Sequence, residues 1–581
     1  MHPPASYFLV TSAGDSAPGA SDIVVAFVDD AGVTVEPQRT FTVHAFLAFV
    51  RAEEAARRDQ RAPRWVWEDT ASFYPLLLAA DVRVQRCHDL RLCHTILRNS
   101  SLTQSSDLAA AAPGFWDAAP ALEPTIRHQG TALFELQVEA DPPVDTAPEF
   151  HRQLAAVAAS AEPRRIRLLL AAESAGALVA AEMRFAGLPW DIARHESLLT
   201  RELGPRVPYG VRPERLEELA GTIRALLGDR TLNPDSQQDL LKALQNAGLP
   251  VTSTQQWHLK EVDHPVIEPL LHYRKLSRLL TANGWSWLDA WIVDGRFHAE
   301  YLPGGVVTGR WAARGGGALQ LPKQVRGAVI ADPGWTFVVA DAAQLEPRIL
   351  AALSADLAMA RAGHDTDLYA GIVASGVVET RAHAKVAMLG AMYGATTGES
   401  GRLLPRLARA YPRALALTEA AARTGERGDI VTTRLGRSSP RPPDAWLAGQ
   451  AQAYAASASG ADERRARSQA RDWGRFTRNF VVQGSAAEWA LCWMAEIRQQ
   501  LWLLDNTAPA AGLGPGIFAS APHLVFFLHD EIIVHTPIAL AEQVTTLVGR
   551  AATSAGKLLF GDFPVDFPLT VATVANYADA K

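Results

Sequence analysis

The chain has 581 residues, long enough for several domains with ample core, and its 48% apolar and 20% charged composition is ordinary for a globular protein. With 62 acidic against 56 basic side chains the net charge is −6, which neither marks a nucleic-acid binder nor excludes one, because binding follows local patches rather than the total. Three cysteines, Cys87, Cys93 and Cys492, argue against a disulfide scaffold and suit a reducing compartment. The start, Met1-His-Pro-Pro-Ala, lacks a basic region followed by an apolar core, and no apolar run reaches membrane-spanning length. A soluble, cytoplasmic protein is the expectation, with no membrane partner.

Residues 1–165 alternate strand patterns (Ile23–Val28, then Gly32-Val-Thr-Val) with helical ones around 43–58, 70–80 and 87–97, which predicts a small α/β domain. Cys87-His88 and Cys93-His94 invite a zinc reading, but on a helix positions six apart point away from each other, and a packed helix is preferred. Loop-like stretches follow at Asn99–Ser106 and Ala111–Pro124, and a seam with Pro142, Pro143 and Pro148 runs from Glu139 to Glu149. From Arg164 the texture turns helical: Ile166–Phe185, Glu214–Leu227, Ser236–Ala247 and His264–Ala282, with Asn233-Pro-Asp-Ser236 supplying a turn and an N-cap. Residues 440–472 are Ala-rich and polar, a helical or mobile surface insertion, and an apolar segment, Phe563–Val574, closes the chain. No tandem repeat of fixed period is present.

The chemistry-bearing stretches lie between these. Thr336-Phe-Val-Val-Ala-Asp341 is a short strand pattern ending in a carboxylate, with a helical pattern directly after it. An Asp there is more often a helix cap than a site. A second carboxylate changes the odds: in His523–His535 two apolar strands meet at a two-residue His529-Asp530 turn, which puts Asp530 at a hairpin tip beside Glu531. Between the two, Arg381, Lys385 and Leu389 advance only about 40° per step of four on a helix, so they share a face with Tyr393. Two cations beside an apolar shelf suit a nucleoside triphosphate; a solvated charged stripe is the plainer alternative.

In order along the chain, these stretches resemble the three polymerase motifs of the DNA polymerase I family (family A). Asp341-Ala-Ala-Gln344-Leu-Glu346-Pro347-Arg348 is similar to Asp-Tyr-Ser-Gln-Ile-Glu-Leu-Arg; Arg381, Lys385, Tyr393 and Gly394 match Arg-x3-Lys-x7-Tyr-Gly; His529, Asp530 and Glu531 match His-Asp-Glu. Thr308-Gly309-Arg310, Leu319-Gln320-Leu-Pro322, Gly436-Arg437 and Arg475-x3-Asn479-x3-Gln483-Gly484 add further agreement. The resemblance covers roughly residues 166–581 and implies an α/β multidomain fold: a right-hand polymerase preceded by an RNase H-like, exonuclease-type α/β domain at 1–165. Palm would come from 166–210, 300–365 and 475–581, thumb from 211–299 and fingers from 366–474.

The resemblance also implies a function, template-directed addition of dNTPs to the 3′-hydroxyl of primer-template DNA by a monomeric enzyme, in replication or repair. Asp341 and Asp530 would hold two Mg²⁺ ions. Arg381 and Lys385 would grip the triphosphate, Lys385 also donating a proton to pyrophosphate, with Gln344, Leu389 and Tyr393 around the nucleotide. His529 and Glu531 would support the metal site and primer end. Glu346 would crowd the sugar 2′ position, and Tyr393 would hold the templating-base site in the open state. Arg310 and Gln483 would touch the minor-groove edge at the primer terminus, with Gln320, Arg475 and Asn479 as further DNA contacts.

Departures from the pattern are Leu389 for an aromatic ring, Ala342 and Ala343 for Tyr and Ser, and Pro347 near a helix start. The N-terminal domain departs further. Val84–Cys93 resembles a stretch usually read His-Asn-Leu-Lys-Tyr-Asp, with Cys93 at the final Asp; no strand ends in Asp-x-Glu upstream, and no Tyr-x3-Asp follows before 166. Without those carboxylates a degenerate exonuclease fold kept as scaffold is expected. The length leaves no room for the family's extra 5′-nuclease domain. The readings kept beside this one are a phage-type RNA polymerase, a catalytically weak DNA-binding scaffold, and a bifunctional enzyme whose N-terminal domain still cuts.

Overall fold

The computed structural model describes residues 5–13, 22–57, 62–118, 144–208, 210–394, 398–453, 455, 458–504 and 516–580; much of the Ala111–Pro124 loop and of the Glu139–Glu149 seam lies outside them. The chain forms two compact units: Met1–Ala186 with Glu300–Ala313 and Pro333–Thr573, and Gly187–Ala299 with Arg314–Asp332 and Val574–Lys581.

The first unit opens with a five-stranded sheet of β1 (Tyr7–Ala13), β2 (Asp22–Val28), β3 (Thr34–Phe41), β4 (Arg64–Trp67) and β5 (Cys87–Asp89), in the order β3-β2-β1-β4-β5. β1 to β3 pair antiparallel, whereas β4 and β5 run parallel to β1. The period-two alternation sends Phe8 to one face, among Phe27, Phe49 and Trp65, and Leu9 to the other, with Val28, Val66, Leu90, Trp116 and Phe150. Helices α1 (Val43–Ala56), α2 (Thr70–Ala79), α3 (Leu90–Asn99), α4 (Asp107–Ala110) and α5 (Thr146–Ala158) complete this part, and α6 (Pro163–Ala186) leads out of it.

One expectation here is corrected. The stretch 87–97 is not all helix: Cys87–Asp89 is a strand paired with Trp65–Trp67, and Asp89 then caps α3 by accepting from Leu92 N–H at 3.0 Å. The strand-to-helix corner brings the Cys93 thiol to 3.9 Å from His88 Nδ1. The four residues of the zinc reading are spent on neighbours: Cys87 donates to the Ser174 carbonyl at 3.3 Å, His88 meets Gln153 at 2.8 Å, Cys93 meets the Ser174 hydroxyl at 3.6 Å, and His94 meets Glu149 at 2.8 Å.

In the second unit β6 (Leu188–Pro189), β7 (Ile292–Val293) and β8 (Arg296–Phe297) form a small sheet in the order β6-β8-β7. Around it are α7 (Ile192–Leu203), α8 (Glu214–Leu227), α9 (Gln237–Asn246), α10 (Gln256–Leu259), α11 (Ile267–Asn283) and α12 (Trp285–Trp291). Ser236 caps α9 as its sequence position implies, accepting from Asp239 N–H. An aromatic core of Trp190, His195, Trp287 and Phe297 holds the base of these helices. His195 accepts from Trp190 Nε1 and donates to the Asn283 carbonyl, and burial pushes its pKa down to about 4, so the ring is neutral.

The remainder of the first unit carries the palm-like sheet. After the short pair β9 (Tyr301–Leu302) and β10 (Ala312–Ala313), β11 (Trp335–Ala342) rises through the core and is followed by α13 (Leu345–Ser354), α14 (Leu357–Ala362), α15 (Leu368–Ala374) and α16 (Arg381–Tyr393). Then come α17 (Gly398–Ala410), α18 (Pro412–Glu426), α19 (Asp444–Ala453), α20 (Gly460–Leu503), the hairpin β12 (His523–Leu528) and β13 (Glu531–Pro537), α21 (Ala541–Phe560) and β14 (Leu569–Val574). The sheet order is β12-β13-β11-β14, so the three strands that were legible as apolar runs lie side by side. Val544, Leu547, Val548, Ala551 and Ala555 give α21 one buried stripe. Pro347 is the third residue of α13, inside the first turn where its missing N–H costs no helical bond.

The 440–472 stretch resolves into α19 and the start of α20, a single helix of 44 residues that begins on a Ser459–Asp462 capping box. Its far half is anchored by a buried ion network. Arg498 donates to Glu182 of α6 at 2.7 Å and to the Gln85 carbonyl at 2.8 Å, and Arg83 meets the same carboxylate at 2.8 Å. Burial opposes the Glu182 charge, but Arg498 and Arg83 hold its pKa down to about 2. No helix among the described residues is long and apolar enough to cross a membrane.

Candidate active site

The antiparallel ladder between β11 and β13 runs from Trp335↔Pro537 to Asp341↔Glu531. It fixes the two separated carboxylates as neighbours: the Ala342 N–H donates to the Asp530 carbonyl at 2.9 Å. Asp341 and Asp530 are both half-buried at the open end of the sheet, while Glu531 is buried behind them. The turn that makes this possible is two residues long, and His529 takes the left-handed conformation at φ +60° that tight hairpin turns use at their first central position. Partial burial and the Arg310 charge hold the His529 ring below its ordinary pKa, favouring the neutral form.

Glu346, on the first turn of α13, joins residues from two distant stretches. Arg310 donates to one of its oxygens and the Tyr393 hydroxyl donates to the other at 2.5 Å. Burial, then the Glu346 carboxylate, pushes the Tyr393 phenol up to about 12, and Gln483 also hydrogen-bonds that hydroxyl. Arg310, Glu346, Tyr393 and Gln483 therefore form one connected polar group, although 173 positions separate the first from the last.

Along α16, Arg381 and Lys385 are exposed while Leu389 and Tyr393 are half-buried, the gradient from charge to apolar shelf that the spacing implied. Arg381 is engaged: it donates to Asp367 at 2.7 and 3.3 Å, and its guanidinium lies 5.4 Å from the centre of the Tyr369 ring. Gln344, in the left-handed conformation at φ +51°, donates to the same Asp367 at 3.0 Å. Sequence reasoning missed Asp367. Its only signal was that of an N-cap, which it also is, accepting from Ala370 N–H.

The remaining candidates fall in two places. Arg475, Asn479 and Gln483 are four apart on α20 and share a face; Arg475 is exposed, pairs with Asp472 and lies against Gly394, whereas Asn479 is half-buried with its Oδ1 lacking a hydrogen-bond partner. Gln320 belongs to the second unit, on a 3-10 turn lining a groove of about 1210 Å³ with Lys260, Arg274, Lys275 and Arg278. Among the described residues, the one group of three or more acids, histidines or cysteines with metal-ligand spacing is elsewhere, His364, Asp365 and Asp566, with ligand atoms within 4.8 Å of one another; the first two are exposed.

Comparison with known proteins gives the family. Residues 212–578 match the sequence model of DNA polymerase family A. The chain is 25% identical over 467 residues to the thermostable DNA polymerase I of Thermus aquaticus, covering 73% of this chain and 47% of that one. It is 25% identical over 339 residues to the Thermus filiformis enzyme, covering 53% and 35%, and 31% identical over 136 residues to DNA polymerase I of Chloroflexus aurantiacus, covering 22% and 14%. The chain thus matches half or less of the length of these relatives. Its fold is similar to that of the polymerase domain of Pol1 from M. smegmatis, a structure in complex with DNA primer-template and dNTP, with a TM-score of 0.67 at 17% identity over 99% of this chain and 96% of that one. With a family match across well over half its length, the chain belongs to DNA polymerase family A.

Proposed function

We propose that the protein is a template-directed DNA polymerase that adds dNTPs to the 3′-hydroxyl of a primer, without a working proofreading nuclease. The observation that carries this is the Asp341↔Glu531 register, which sets Asp341 and Asp530 side by side at one end of the sheet. Carboxylate oxygens are hard donors suited to Mg²⁺, and one such group at a strand end beside one on the neighbouring hairpin turn fits it. Two Mg²⁺ held by Asp341 and Asp530 would supply charge neutralisation at the attacking and leaving oxygens.

The chain's own residues do the positioning that phosphoryl transfer demands. Arg381 exchanges its Asp367 carboxylate for the triphosphate, and Lys385, one turn along and exposed, holds the proton that pyrophosphate takes as it leaves. Tyr393, tethered to Glu346, yields its place to the template base, while Glu346 crowds the sugar 2′ position. Arg310 and Gln483 donate to the minor-groove acceptors that every Watson–Crick pair presents, which tests pairing without reading sequence. His529 and Glu531 support the metal site. The groove at Gln320, with four cations, suits the duplex phosphates, and Arg475 and Asn479 suit the template strand. Palm, thumb and fingers follow the boundaries given above, the enzyme acts as a cytoplasmic monomer, and residues 1–165 are an RNase H-like scaffold supported by the β3-β2-β1-β4-β5 order.

Primer extension on a 5′-overhang template with Mg²⁺ and dNTPs tests this, run beside Asp341→Ala and a lane without dNTPs. Extension that the substitution abolishes is expected. A silent wild-type enzyme would sink the polymerase reading, and primer shortening without dNTPs would sink the scaffold reading of the N-terminal domain.

A further inference from the structure

Among the polar contacts between the N-terminal domain and the rest of its unit, one set, at Ser100 and Ser101, has partners that lead to the primer-end residues. Val431–Ser439 is a small hairpin closed by Thr433 N–H to Arg437 C=O at 2.9 Å and Ser439 N–H to Val431 C=O at 2.9 Å. On its inner side, the Arg437 guanidinium packs on Gly309, where a Cβ would overlap it, and the Thr433 methyl packs on Gly484 in the same way. Gly309 precedes Arg310 and Gly484 follows Gln483. Both residues assigned to the minor-groove edge are therefore adjacent to a glycine that the hairpin presses against. Glu173 fixes Arg437 from behind at 2.6 Å, and Glu488 accepts from Thr433 and from Leu435 N–H.

On its outer side the hairpin is held by the corner after α3. The Ser100 hydroxyl donates to the Gly436 carbonyl at 2.6 Å, Ser101 N–H donates to the Ser438 hydroxyl at 2.8 Å, and the Ser101 and Thr432 hydroxyls meet at 2.7 Å. Leu102 and Ile166 lie so close to Gly436, at φ +123°, that a Cβ there would come within 2.8 Å of each. Arg165 adds bonds to the Arg434 and Thr433 carbonyls at 2.7 and 3.2 Å. A corner built only to cover apolar surface would not converge three serine bonds on one turn.

We propose that Ser100 and Ser101 are positioning residues for the primer terminus, acting through the Val431–Ser439 hairpin on Arg310 and Gln483. The inference rests on the polymerase reading above, and it gives the N-terminal domain a role in synthesis that does not depend on cutting DNA. Arg310 must donate into the minor groove, and an error of about 1 Å in a positioning contact can cost two orders of magnitude in rate. The hairpin sets the backbone on which it stands.

The test is single-nucleotide extension from matched and mismatched primer ends by the full chain carrying Ser100→Ala with Ser101→Ala. A fall in kcat of about five- to tenfold on the matched end is expected, with the KM for dNTP changed less than twofold and the matched-to-mismatched ratio reduced. The same pair of changes made in an Arg310→Ala enzyme should cost less than twofold, because the path they act through is already gone. Equal losses in both backgrounds, or no loss in the first, would overturn the proposal. Ser438→Ala, which removes the hydroxyl that Ser101 N–H donates to on the hairpin side, repeats the comparison should the serine pair fail to fold. A wild-type enzyme silent on every primer would instead sink the polymerase reading, and this inference with it.

Discussion

At the end of the palm-like sheet, Asp341 and Asp530 stand half-buried beside each other, while Glu531, the first residue of β13 after the turn, is buried behind them. In the N-terminal domain a comparable number of acids and histidines converge, yet each is spent on a neighbour. Asp89 takes the N–H groups of Leu92 and Thr70, Glu149 takes His94 and Gln153, and Asp117 takes Arg98 and the Gly114 N–H. β1, the central strand of that sheet, carries no acid at all. Burial with full internal hydrogen bonding stabilises a core polar cluster but leaves little charge for a cation. The two regions show that the number of acids in a place matters less than whether the fold has already paired them.

The comparison breaks most plainly at the paired carboxylates. Asp530→Ala should lower primer extension on the order of 10³-fold or more while primer-template affinity, measured by fluorescence anisotropy, changes little, because the charge is needed only where phosphoryl transfer occurs. Unchanged extension would mean that the hairpin tip is a structural turn. The converse change restores an acid to the N-terminal domain. Cys93 is buried among His88, Ser174 and the Leu170 carbonyl, so Cys93→Asp should destabilise the protein by about 3 kcal/mol in a denaturant titration and yield no primer shortening. Shortening in that variant would show that a nuclease site lies one residue from repair.

A smaller effect sharpens the contrast through pH. Burial pushes His88 down to about 4 from an ordinary value near 6.5, so the folded protein keeps the ring neutral while the unfolded chain protonates it. Its contribution to stability is present above pH 6.5 and is lost as pH falls towards 4, about 2 kcal/mol of it between pH 7 and 5. Asp89, pushed up to about 7 by burial and by Asp69, works in the opposite direction, so the readout is the difference between wild type and His88→Gln rather than either profile alone. That difference should narrow by about 2 kcal/mol from pH 7 to 5; a constant difference would mean that His88 is already charged in the folded state.

The palm-like sheet was legible because its signals are local: an apolar run ending in Asp341, two more meeting at a two-residue turn, and helical spacing from Arg381 to Tyr393. The register that pairs Asp341 with Glu531 is a long-range fact, yet the alternation on each strand leaves few alternatives. Less was legible where strands are short. Tyr7–Ala13 and Arg64–Trp67 escaped notice, and the three residues of Cys87–Asp89 were absorbed into the helix that follows them. Partners created by folding were invisible. Asp367 reads as a helix cap whether or not an arginine waits above it, and nothing near Ser100 announces a hairpin more than 330 positions away.

The 44-residue helix α20 spans about 66 Å and carries, on one uninterrupted backbone, the Arg475–Gln483 face and the Arg498 network that grips Gln85 and Glu182. Such an element has no slack. A residue inserted between Gln483 and Arg498 would turn one end about 100° against the other, so that only one of the two could keep its partners. Length variation in descendants of this sequence should therefore collect before Gly460 and after Leu503, and the fifteen-step interval between Gln483 and Arg498 should be inherited as a fixed gauge.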